Sequence, residues 1–102
     1  MMNDSELRVQ LVEQRGKTSI FISAYIDKDG DLVISGQDLG EFPEKYWGDS
    51  DYEYWLNVSA EYKDRILLAL LESLYKGDLR VVSNLRAKLD EKEIPYEFGS
   101  WV

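Results

Sequence analysis

The chain has 102 residues, with 20 acidic and 12 basic side chains for a formal net charge of −8, and it contains neither cysteine nor histidine. It therefore has no disulfide, thiolate nucleophile, zinc finger or iron–sulfur cluster, and it lacks the commonest general base and transition-metal ligand. The acidic balance disfavours nucleic acid and anionic membranes as partners, because both need a positive patch. At this length one domain is expected, and 44% hydrophobic residues suffice for a core.

Leu7, Val9 and Leu11 alternate with Arg8 and Gln10, the period-2 pattern of a half-buried strand, with Val12 out of step. After a turn at Arg15 to Lys17, the span Thr18 to Ile26 places Ile20, Ile22, Ala24 and Ile26 on one face and Phe21, Ser23 and Tyr25 on the other. Asp27 to Asp31 contains an Asp-Gly pair suited to a tight turn, and Leu32 to Gln37 returns as a third strand. Gly40, Pro43 and Gly48 interrupt Leu39 to Ser50, so this stretch reads as a surface loop with a helical turn near Glu44 to Trp47. A fourth strand follows, with Tyr52, Tyr54, Leu56 and Val58 on one face and Asp51, Glu53, Trp55 and Asn57 on the other.

Ser59 is a candidate N-cap for a helix whose apolar stripe is Tyr62, Ile66, Leu70 and Leu74, widened by Leu67 and Leu71 and ended by Lys76 and Gly77. Asp78 caps a second helix with Leu79, Val82, Leu85 and Leu89. Ile94, Tyr96 and Phe98 alternate past Pro95, which predicts a short final strand at a sheet edge, with Trp101 anchoring the end. The order β-β-β-β-α-α-β predicts an α+β fold: an antiparallel meander with the two C-terminal helices packed across one face. No apolar run approaches the roughly 20 residues that span a bilayer, and Met1 to Glu6 is polar and acidic, so a cytoplasmic location is expected.

The charge is unevenly placed. Between Asp27 and Glu53 there are nine acids and two bases, whereas the other 75 residues hold 11 acids and 10 bases. The same region holds six of the 13 aromatic residues within 14 positions: Phe42, Tyr46, Trp47, Tyr52, Tyr54 and Trp55. Aromatic side chains supply rigid area for burial, while carboxylates meet Lys and Arg. The expected function is accordingly a non-enzymatic interaction module that binds a basic protein through Asp38, Glu41, Glu44, Trp47, Asp49, Asp51, Glu53 and Trp55. Alternation sends Trp55 outward beside Asp51 and Glu53 if Tyr52 and Tyr54 face the core; otherwise it covers the second sheet face or packs under the preceding loop. Two other readings stay open. One is a small-ligand or cation-binding domain with a carboxylate and tyrosine pocket beneath the Gly40 to Ser50 loop, and the other is a homodimer joined through Trp55 or Trp101.

Asp27, Asp29, Asp31 and Asp38 fall at positions one, three, five and twelve of an EF-hand loop, but Leu32 stands where that loop needs glycine. The segment before it reads as strand, so a hairpin turn is expected and no metal. No nucleophile elbow, P-loop or dinucleotide fingerprint occurs, and neither catalytic residue nor cofactor is expected.

The segments GQDLG (Gly36 to Gly40), WGDSDYEYWL (Trp47 to Leu56) and IPYEFGSW (Ile94 to Trp101) resemble those of a group of small bacterial proteins without an established activity. That resemblance implies no catalytic residue. In size and acidity the chain is also similar to bacterial immunity proteins and antitoxins that cover the cationic active site of a toxin nuclease, which implies an immunity-type inhibitor as one form of the module.

Overall fold

A computed structural model describes residues 7–48 and 50–101, with Phe42 and Trp47 described in their backbone alone. The fold is α+β, in the order β1 (Arg8–Gln14), β2 (Thr18–Ile26), β3 (Leu32–Gly40), α1 (Glu41–Trp47), β4 (Asp51–Val58), α2 (Lys63–Tyr75) and α3 (Val81–Glu91). The four strands form one antiparallel sheet in sequence order, β1-β2-β3-β4, so β1 and β4 are its edges. The chain divides into two compact units, one ending at Leu67 and one beginning at Leu68. Among the described residues no helix is long and apolar enough to cross a membrane.

Register sorts the sheet into two unlike faces, because residues directly opposite in antiparallel strands share a side. Ile22 pairs with Gly36, Ala24 with Ile34 and Ile26 with Leu32, while Ile34 pairs with Leu56 and Leu32 with Val58. This is the aliphatic face. A shift in register between Gln10 and Val12 sets both Val9, opposite Ala24, and Val12, opposite Ile22, on it. The bulge corrects the expected alternation of β1: it absorbs Leu11, which stays exposed, and brings the out-of-step Val12 to the apolar side. The second face carries Phe21, Tyr25, Val33, Gln37, Glu53 and Trp55. There the Arg8 guanidinium lies 4.1 Å from the Tyr25 ring centre and that of Arg15 5.2 Å from Phe21, which shields both rings. Among the described residues Val33, Gly36 and Pro43 are buried, and the other strand residues of β2 and β3 are half-buried.

The Asp27 to Asp31 turn is held by its own side chains. Asp27 Oδ1 accepts the backbone N–H groups of Asp29 at 2.9 Å and Asp31 at 3.0 Å, and Asp27 and Asp31 close the turn through their backbones. This Asx arrangement is the hairpin alternative to an ion-binding loop. Asp38 lies seven residues beyond Asp31 on an extended strand, about 23 Å away at the usual rise, out of reach of an ion held by the turn.

β3 runs to Gly40, three residues past its expected end, and the stretch read as a loop is largely α1. Gly40 precedes the helix with φ 123°, its N–H reaching Ser50 O at 2.9 Å, and Glu41 N–H reaches Lys17 O at 3.1 Å. Pro43 sits in the first turn, where a missing N–H costs nothing. Ser59 makes no side-chain cap, in contrast to the N-cap expected of it; a 3-10 turn over Ala60–Tyr62 precedes α2 instead. The capping oxygen comes from Asp31, whose Oδ1 accepts Ala60 N–H at 2.7 Å, while Lys63 Nζ donates to Gly30 O at 2.7 Å. Asp78 is likewise not the N-cap expected of it: α3 starts at Val81 with Arg80 at its N-cap and no side-chain cap, while Asp78 holds the turn before the helix, accepting Arg80 N–H at 2.8 Å and Asn84 Nδ2 at 2.9 Å.

The expected final strand over Ile94 to Phe98 is absent. α3 ends in a Schellman motif: Ile94 N–H bonds Leu89 O at 2.9 Å, Glu93 N–H bonds Asp90 O at 3.2 Å, and Glu93 takes φ 56°. Pro95 then offers no donor, and the Arg86 guanidinium lies 4.1 Å from the Phe98 ring centre and 6.0 Å from that of Tyr96. These rings therefore follow α3 rather than a sheet edge. Trp101, expected to anchor the end, is fully exposed.

Candidate functional site

The acidic and aromatic residues separate onto different elements. Asp51, Glu53 and Trp55 alternate along β4 and pair with Leu39, Gln37 and Ser35, so all three project from the second face of the sheet. Because β4 is an edge strand, this row lies at the rim of the face. Trp55 is 73% exposed, which rejects both a cover role over the sheet and burial under the preceding segment. Gln37 Nε2 donates to Asp51 Oδ1 at 3.0 Å and orients that carboxylate. Ser35, Gly36, Gln37, Glu53, Tyr54 and Trp55 line an open depression of 260 Å³.

α1 contributes Glu41 and Glu44, both exposed and both in its first turn, where the helix dipole favours carboxylates. Trp47 closes α1, and its side chain lies outside the described residues, as does all of Asp49. Asp38 departs from the group. It pairs with Ile20 and Tyr52, which places it on the aliphatic face, turned away from Asp51, Glu53 and Trp55. Of the eight expected residues, Asp51, Glu53 and Trp55 share one face of β4, Glu41 and Glu44 lie on α1, Trp47 and Asp49 fall outside what is described of the site, and Asp38 serves another purpose.

That purpose is the Tyr54 hydroxyl, which donates to Asp38 Oδ1 at 3.0 Å. The Tyr54 ring lies over Gly36, which has no side chain to obstruct it, and its centre is 5.3 Å from that of Tyr52. Partial burial, then the hydrogen bond to Asp38 and the negative charge there, raise the Tyr54 pKa above the ordinary tyrosine value. The folded state holds this proton more tightly than the unfolded chain does. Its contribution is therefore fully present below about pH 10, the unfolded value, and is lost as pH rises through the folded value. Urea midpoints should accordingly fall more steeply above about pH 10 for the wild type than for Tyr54→Phe. Parallel slopes would remove Tyr54 from this role.

Among the described residues no group of three or more carboxylates is placed to hold a metal ion. Sequence reasoning missed Gln37 and Ser35. Neither carries charge or aromatic area, and only the register of β3 against β4 reveals them as neighbours of Glu53 and Trp55. The chain has no significant match to any protein-family model, curated protein sequence or solved structure.

Proposed function

We propose that this protein is a non-enzymatic interaction module that binds a basic protein through the rim formed by Asp51, Glu53 and Trp55 on β4, with the exposed Glu41 and Glu44 of α1 adding to its negative field. An immunity-type inhibitor is the form of module that this chemistry suits, with a cationic enzyme as its partner. The observation that supports the reading is the 73% exposure of Trp55 in a row with two carboxylates. A solvent-exposed tryptophan is costly to leave uncovered and is a frequent interface anchor. Its flanking carboxylates would steer a cationic surface and orient it. They also guard the open edge of β4 against pairing with another copy of itself, where like charges would meet. A small-ligand pocket is the weaker reading, because 260 Å³ falls below the roughly 300 Å³ at which such sites begin and the depression is open.

The test is affinity capture from the native host at low and moderate salt, with wild type and with a Asp51→Asn, Glu53→Gln, Trp55→Ala variant. A stoichiometric basic protein should be retained by wild type, more weakly as salt rises, and lost by a variant that melts like wild type. Absence of any stoichiometric partner, or undiminished retention by the variant, rejects the proposal.

A further inference from the structure

On the second face of the sheet this chain covers its own aromatic rings with arginine. Tyr25 and Phe21 of β2 each carry a guanidinium from the β1 side, that of Arg8 at 4.1 Å and that of Arg15 at 5.2 Å from the ring centre. Trp55 lies on the opposite edge strand of the same face without such a cover. Among the described residues no cation rests against its ring, and no ion pair or hydrogen bond reaches the carboxylate of Glu53, two positions before it. Register accounts for the hollow beside them. Trp55 ends the cross-strand row Ser23, Ser35, Trp55, and Glu53 ends the next row, Phe21, Gln37, Glu53. Small serines next to an indole leave space that a larger side chain would fill, and Ser35, Gln37, Glu53 and Trp55 all line the 260 Å³ depression. Every residue of this arrangement belongs to the compact unit that ends at Leu67, so the depression is built within that unit.

We infer that this depression receives one arginine side chain of the basic partner, with the guanidinium stacked on Trp55 and bonded to Glu53. The inference rests on the proposed function and names the partner group that the site selects. Size is the first reason: the depression is too small and open for a drug-sized molecule but suits a single long side chain. The chemistry of the lining is the second. The Glu53 carboxylate only accepts hydrogen bonds, the Ser35 hydroxyl and the Gln37 amide oxygen accept as well, and the Gln37 amide N–H already donates to Asp51 Oδ1 at 3.0 Å. An acceptor-rich wall without a cation matches the donor-rich guanidinium. Geometry is the third. Glu53 and Trp55 stand two residues apart on one face of β4, about 7 Å along the strand at the usual rise, so a flat group lying on the indole can turn its edge to the carboxylate. An ammonium group is a strongly hydrated point charge with no plane to stack, so lysine gains less at the same place.

The test titrates the full chain with two capped tripeptides, Gly-Arg-Gly and Gly-Lys-Gly, and follows the tryptophan indole N–H signals by NMR, with that of Trp55 assigned from its loss in Trp55→Ala. The arginine peptide should shift the Trp55 signal and bind about fivefold more tightly than the lysine peptide, a comparison that needs no variant to fold. Glu53→Gln should weaken the arginine peptide about tenfold. Ser35→Leu, which fills the hollow and leaves the charge and the indole in place, should abolish the preference for arginine while the protein melts like wild type. Equal affinity for the two peptides overturns the inference, because general acidity would then account for binding. No response at Trp55 overturns it too, and that is the result if the depression is covered by the protein's own chain. Capture of a basic partner from the host without any arginine preference rejects the arginine site alone. Arginine binding at Trp55 with no stoichiometric partner in the host rejects the interaction module and leaves the site.

Discussion

Replacing Gly40 with alanine is expected to lower the free energy of unfolding by about 3 kcal/mol, seen as a reduced urea midpoint with an unchanged slope. Gly40 joins β3 to α1 with φ 123° and ψ −143°, a conformation essentially confined to glycine. An added Cβ would also collide with the Lys17 carbonyl oxygen, which belongs to the backbone and has no rotamer to escape into. Relief requires the corner to move. That movement breaks the bond from Glu41 N–H to Lys17 O and strains the one from Gly40 N–H to Ser50 O, which leads into β4. Alanine at Gly99, where an added Cβ meets nothing within 4 Å, should change stability by less than about 0.5 kcal/mol. Similar midpoints for the two variants would show that the corner tolerates a side chain and is not a strained junction.

The same corner explains why part of the chain was illegible. Gly40, Pro43 and Gly48 were read as interruptions of a loop, yet they occupy the N-cap, the first turn and the C-cap of α1, where each is compatible with a helix. Breakers and boundary residues are the same amino acids, and a seven-residue helix has too few positions for periodicity to decide between them. Where periodicity had room, it sufficed: β2, β4, α2 and α3 lie close to where alternation or the leucine spacing put them. Pairing across distance was invisible. Asp31 caps Ala60 from 29 residues away, so the apt but idle Ser59 took its place in the reading. Asp38 looked like a member of the acidic rim because it is near that rim in sequence; register with Tyr52 instead of Glu53 turns it to the other face. Asp51, Glu53 and Trp55 were legible as a row because they share one strand, where a period of two needs no knowledge of the partner strand.

Gly36→Ala should cost about 2 kcal/mol in the wild type and close to nothing in a Tyr54→Val background. In β3 an alanine is ordinarily the better strand residue by roughly 0.5–1 kcal/mol, so a loss of stability needs a specific cause. The cause is the Tyr54 ring across the β3–β4 pair: a Cβ on Gly36 would fall against Cε2, Cζ and the hydroxyl oxygen. The ring is a side chain and can swing aside, but only by giving up the 3.0 Å bond to Asp38 and its contact with the buried glycine. With valine at Tyr54 there is no ring to displace, and the intrinsic preference for alanine reappears. The coupling between the two positions should therefore be about 2–3 kcal/mol, measured as the difference between the cost of Gly36→Ala in each background. Equal costs would mean that the glycine is needed for the strand itself and not for the tyrosine. The cycle also isolates the two faces of the sheet. Gly36, Asp38 and Tyr54 share the aliphatic side, and Trp55 with its carboxylates projects from the other. Gly36→Ala should thus weaken the fold while leaving capture of a basic partner unchanged, whereas Trp55→Ala should do the reverse.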